Sequence, residues 1–129
     1  MNTTLTKAEE QVMQILWKLE KGFIREVVEG YEEPKPAYTT VATMLKILEK
    51  KGFVKREAFG NSYQYIPTLG KEDYSKSFLK GFVTNYFSSS YKNLVSFLGK
   101  NEKLSRQELE ELIELLEKQV EEQKSKDNE

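Results

Sequence analysis

Thr39, Thr43, Lys46 and Lys50 recur at i, i+4, i+7 and i+11, the spacing that puts four side chains on one face of an α-helix. Val41, Leu45 and Leu48, with Met44 beside them, fall on the opposite face. Threonine and lysine in this arrangement suit double-stranded DNA. Thr contacts thymine methyls and phosphates, and Lys reaches guanine or the backbone. A solvated face usually alternates Glu with Lys, whereas this one carries no acid. Lysines near a helix C-terminus also complement the macrodipole, and the helix alone leaves the two readings even.

The residues that follow tip the balance. Gly52 is a natural stop for a helix running from about Thr39 to Lys51. Phe53-Val54-Lys55-Arg56-Glu57 reads as a basic strand, Phe59-Gly60-Asn61-Ser62 as a turn, and Tyr63-Gln64-Tyr65-Ile66 as a strand ended by Pro67. A helix followed directly by a hairpin is the DNA-reading end of a winged helix-turn-helix. Charge is distributed to match. The net charge is −1, but residues 35–64 hold six basic residues against Glu49 and Glu57. The segments on either side are net acidic.

Elements on both sides must position this unit. Thr6-Lys7-Ala8-Glu9 is a capping box that starts a helix with Val12, Ile15, Leu16 and Leu19 inward and Gly22 at its end. Phe23-Ile24 reads as a brief strand, and Arg25 to about Tyr31 as a short helix with Val27 and Val28 inward, broken by Pro34 and Pro36. Beyond residue 70 the pattern is helical. One helix runs from Glu72 to about Phe87, another from Tyr91 to Leu98, with a turn at Gly99-Lys100-Asn101. A third follows the capping box at Ser105, and a frayed polar tail is expected at 125–129.

The fold class expected is therefore mainly α with a small β-hairpin: an N-terminal winged helix-turn-helix over 1–70 and a C-terminal helical dimerisation arm over 71–124. Three amphipathic helices in so short a piece rarely close a core alone. A second copy supplies the missing surface and gives a twofold dimer. The candidate dimerisation residues are Phe78, Leu79, Phe82, Val83, Tyr86, Leu94, Val95, Leu98, Leu109, Leu112, Ile113 and Leu116.

Composition excludes much else. With no cysteine and no histidine, the chain lacks disulfides, the usual zinc and copper ligands, and Ser–His or Cys–His catalytic pairs. No metal, no cofactor and no catalytic residue is expected, nor is an enzyme. No apolar run approaches a membrane span and no secretory leader is evident, so the expected location is cytoplasmic, without membrane insertion. A winged-helix adaptor that binds protein rather than DNA is the alternative, compatible with the acidic first segment. A ligand pocket lined by the aromatic stripe Phe78, Phe82, Tyr86 and Phe87 is a third reading, which core or interface packing outweighs.

Three stretches carry a family resemblance. L-T-K-A-E-E-Q-V-M-Q-I-L-W, T-T-V-A-T-M-L-K-I-L-E-K-K-G-F-V and G-N-S-Y-Q-Y-I-P resemble the first helix, recognition helix and wing of the BlaI/MecI/CopY family of penicillinase-type repressors. The resemblance implies a homodimeric repressor on a palindromic operator. By it, Thr39, Thr40, Thr43 and Lys46 are reading positions, while Lys50, Lys51, Lys55 and the wing near Asn61 touch phosphates. It also brings in a membrane sensor protease as a partner, because β-lactam-responsive members are cleaved at an Asn-Phe bond in the helical arm. Alignment puts Phe97-Leu98 at that bond, without the asparagine. The copper-responsive members carry a cysteine motif that this chain lacks.

Overall fold

In the computed structural model, which describes residues 4–101 and 103–128, α1 (Lys7–Leu19) starts at the expected capping box. The Thr6 side chain accepts from the Glu9 N–H at 3.2 Å, and Glu9 Oε1 accepts the Thr6 N–H at 2.9 Å. Val12, Met13 and Leu16 are fully buried. The helix stops earlier than expected. Glu20, at φ 73°, is its C-cap, and Gly22 is freed to enter the sheet as β1 (Gly22–Phe23).

The short helix expected from Arg25 is α2 (Ile24–Glu29), with Val27 buried and Val28 partly buried. The recognition-helix candidate is α3 (Tyr38–Lys51). Gly52 ends it in the left-handed conformation, at φ 89°, and Phe53 N–H returns to the Leu48 carbonyl at 2.9 Å. The hairpin is β2 (Val54–Phe59) and β3 (Ser62–Pro67), joined through Gly60 at φ 59° and Asn61. It is part of a larger sheet than the expected hairpin: β1 pairs with β3 on the side away from β2, giving the antiparallel order β1-β3-β2.

One core lies under the sheet and helices, built from Leu5, Val12, Met13, Leu16, Val27, Val41, Leu45, Leu48, Phe53, Val54 and Tyr65. It also takes Tyr74, from the start of α4 (Lys71–Phe87), whose ring lies 5.8 Å from Phe53 and 5.7 Å from Trp17. Trp17 Nε1 donates to the Leu69 carbonyl at 2.9 Å, which fixes the segment leading into α4. The chain divides into two compact units, the first ending at Leu79 and the second beginning at Lys80, inside α4.

The second unit holds the rest of α4, then α5 (Tyr91–Asn101) and α6 (Arg106–Asp127). Ser88 and Ser89, at φ 52° and 60°, make the break expected between the first two. The turn placed at 99–101 is the last turn of α5, because Gly99 keeps an ordinary helical conformation. The frayed tail is helical to Asp127. The Ser105 capping box forms as expected, with Glu108 N–H donating to Ser105 Oγ at 3.0 Å.

Candidate nucleic-acid interface

α3 has two segregated faces. Val41, Leu45 and Leu48 are fully buried and lock the helix to α1, α2 and the sheet. Thr39, Thr40, Thr43, Lys46 and Lys50 are all exposed, as the helical phase requires. Lys46, Lys50 and the wing residue Lys55 have no ion-pair partner among the described residues, so their charges are available to a ligand. The Thr43 hydroxyl donates to the Thr39 carbonyl one turn back at 2.9 Å, which turns its donor inward.

The wing stands beside this face. Lys55 and Asn61 are exposed on β2 and in the turn. Arg56, which sequence reasoning left out of the site, ties wing to helix. Its Nε lies 3.3 Å from the Glu49 carboxylate on α3, and its guanidinium sits 4.2 Å above the Tyr63 ring. The available signal was an arginine seven residues after a glutamate across the glycine stop. Glu49 thus spends its charge on the wing, away from the acid-free face.

Lys51 does not join the site. Its Nζ donates to Glu9 Oε1 at 2.7 Å, and Glu9 is only 5% exposed. Three residues after Leu48, Lys51 lies at the margin of the buried face and reaches α1 instead of solvent. Burial of Glu9 would raise its carboxyl pKa. The Lys51 hydrogen bond and charge, with the Thr6 amide and hydroxyl, more than offset that and hold it below the ordinary carboxylate value.

Phe78 and Leu79, at the end of the first unit, are exposed, as are Phe82, Tyr86, Val95, Leu112, Ile113, Leu115, Leu116 and Val120 in the second. Leu94, Leu98 and Leu109 are half-buried. Val83 is 1% exposed, buried by its own chain, and is withdrawn from the dimerisation set. The aromatic stripe packs on itself, with Phe87 5.6 Å from Phe82 and 5.5 Å from Phe97. The Phe97–Leu98 bond lies inside α5, and the Phe97 carbonyl accepts from Asn101 Nδ2 at 3.2 Å. Among the described residues no acidic cluster could hold a metal ion, and no helix is long and apolar enough to cross a membrane.

Residues 5–118 match the sequence profile of the penicillinase repressors. The chain is 28% identical over 115 residues to the methicillin resistance regulatory protein MecI of Staphylococcus aureus strain N315, covering 88% of this chain and 94% of that one. It is 30% identical over 113 residues to a Staphylococcus aureus penicillinase repressor, covering 87% and 90%. A Bacillus licheniformis penicillinase repressor is 27% identical over 114 residues, with 88% and 89% covered. Among solved structures, Bordetella bronchiseptica BpsR, whose DNA binding is regulated by 6-hydroxynicotinic acid, aligns with TM-score 0.51 at 14% identity, covering 93% of this chain and 83% of that one. The protein hsRosR-S1 aligns with TM-score 0.50 at 17% identity, covering 71% of this chain and 84% of that one. The structural likenesses show a shared fold.

Proposed function

The chain belongs to the penicillinase repressor family, and from that premise we propose that it represses transcription as a homodimer bound to a palindromic operator. The family is one of transcriptional repressors rather than enzymes. The observation that carries the reading is the exposed, acid-free face of α3, with Thr39, Thr43, Lys46 and Lys50 beside a wing that Arg56 braces. Thr39, Thr40, Thr43 and Lys46 read base edges in the major groove. Lys50, Lys55 and the backbone near Asn61 contact phosphates.

Dimerisation rests on the second unit. Leu112, Ile113, Leu115, Leu116 and Val120 leave α6 with far more exposed apolar surface than a monomer needs. A twofold partner buries it and presents two recognition helices to the two halves of a dyad. Repression is relieved by an inducing signal. Hydrolysis at Phe97–Leu98 by a membrane sensor protease would need α5 to unwind, and the bond lacks the family asparagine.

The test is fluorescence anisotropy of the full chain on the DNA upstream of its own gene, at two salt concentrations, against a scrambled duplex. The expected result is binding that survives the scrambled competitor and weakens steeply with salt. Equal binding to both duplexes refutes sequence-specific reading of that DNA. No binding at low salt replaces the proposal with a protein-binding adaptor.

A further inference from the structure

Ile47 is 42% exposed on α3, four residues after Thr43 and one after Lys46. A single exposed isoleucine is ordinary on a protein surface. This one continues a row. Thr40, Thr43 and Ile47 are spaced i, i+3 and i+7, so their side chains stack along one line of the helix. All three are exposed. Lys46 and Lys50 flank the row on the side of the acid-free face.

The row presents methyl groups. Thr43 donates its hydroxyl proton to the Thr39 carbonyl at 2.9 Å, which leaves its γ-methyl as the group not engaged by the helix. Ile47 has no polar atom at all. In the major groove, the base-edge group that rewards an apolar contact is the C5-methyl of thymine. On the DNA-binding reading of α3 proposed above, we infer that Thr43 and Ile47 form an apolar ridge that specifies thymine by its methyl group, making Ile47 a specificity-determining residue. Lys46 and Lys50 supply the charge that holds the ridge against the groove. Half-sites selected by the protein therefore contain thymine at one or two fixed positions, read without a hydrogen bond.

The experiment uses the full-length protein and duplexes it selects from a randomised library. Each selected thymine is replaced in turn by deoxyuridine, which lacks only the C5-methyl, and affinities are measured for the wild type, Ile47→Ala and Thr43→Ser. Thr43→Ser keeps the hydroxyl and its bond to Thr39 while deleting the methyl. The wild type loses about fourfold at each contacted thymine, the transfer free energy of one methyl-sized group. Ile47→Ala weakens binding to the thymine duplex but is no longer sensitive to uracil at its own position, and Thr43→Ser behaves likewise at its position. A consensus whose thymines all tolerate uracil, or losses that simply add in the variants, overturns the inference and leaves the operator reading intact. A library that yields no consensus overturns the operator reading and this inference together. Ile47 is solvent-exposed, so its variant keeps the fold, which circular dichroism verifies.

Discussion

Lys51 Nζ lies 2.7 Å from Glu9 Oε1, so the last turn of α3 is tied to the first turn of α1 across 42 residues of sequence. The pair is largely shielded, with side chains 20% and 7% exposed. Glu9 Oε1 also accepts the Thr6 amide, so one oxygen serves both the helix cap and the inter-helix tie.

Removing one partner of such a pair strands the other. Lys51→Ala is expected to lower stability by about 2–4 kcal/mol, read from urea denaturation. Its specific DNA affinity per folded molecule should stay within a factor of about two, because Lys51 faces α1. A large affinity loss with stability unchanged would return Lys51 to the DNA surface.

The pair also sets a pH response. The folded-state pKa of Glu9 is depressed, so its stabilising contribution is present above the unfolded carboxylate value and is lost as pH falls through the folded one. Thermal stability should therefore fall more steeply below about pH 4.5 in the wild type than in Glu9→Gln. Parallel acid profiles for the two proteins would refute this.

Gly52 is needed for its backbone rather than for space. It sits at φ 89°, and a Cβ there would meet nothing within 4 Å. Gly52→Ala should cost about 1–2 kcal/mol from the left-handed conformation alone. Gly99→Ala, in ordinary helix with equally open surroundings, should be neutral or stabilising by up to about 1 kcal/mol. Chemical denaturation of the two variants compares them directly.

Lys50→Ala and Lys55→Ala should weaken specific and random DNA alike. Each should reduce the slope of log K against log salt by about 1 per lysine removed from the contact. A loss confined to one sequence would make either lysine a base reader instead.

Leu116→Glu should leave helix content unchanged, since Leu116 is exposed on α6. It should convert the protein from dimer to monomer in analytical ultracentrifugation and weaken operator binding by about 10²-fold or more, as the second half-site ceases to be held in place. A variant that stays dimeric would place the interface elsewhere.

Much of this was legible in the sequence where the signal is local. The phase of α3 followed from Val41, Leu45 and Leu48, the cap of α1 from Thr6 and Glu9, and the hairpin turn from Gly60 and Asn61. What escaped was non-local or too short to carry a period. The brief strand read at Phe23-Ile24 is β1, one residue earlier, but its pairing with β3 far along the chain left no local signal. Lys51 looked like one more basic residue beside Lys50 because its acidic partner lies on another helix, already occupied in a cap. Arg56 was hidden for the same reason, its partner Glu49 lying across the glycine turn. Gly99 carried the stop signal of Gly52 without the positive φ that makes one.

The two-faced build of α3 bears on how such a protein changes over generations. Val41, Leu45, Leu48 and Lys51 anchor the helix, while Thr39, Thr40, Thr43, Lys46, Ile47 and Lys50 face solvent. Substitutions in the second group leave the anchoring untouched, so on the proposed DNA-reading role the preferred promoter can drift, or be redesigned by swapping six side chains, on an unchanged scaffold. A graft of this helix into another protein has the opposite requirement: an acid equivalent to Glu9 must travel with it.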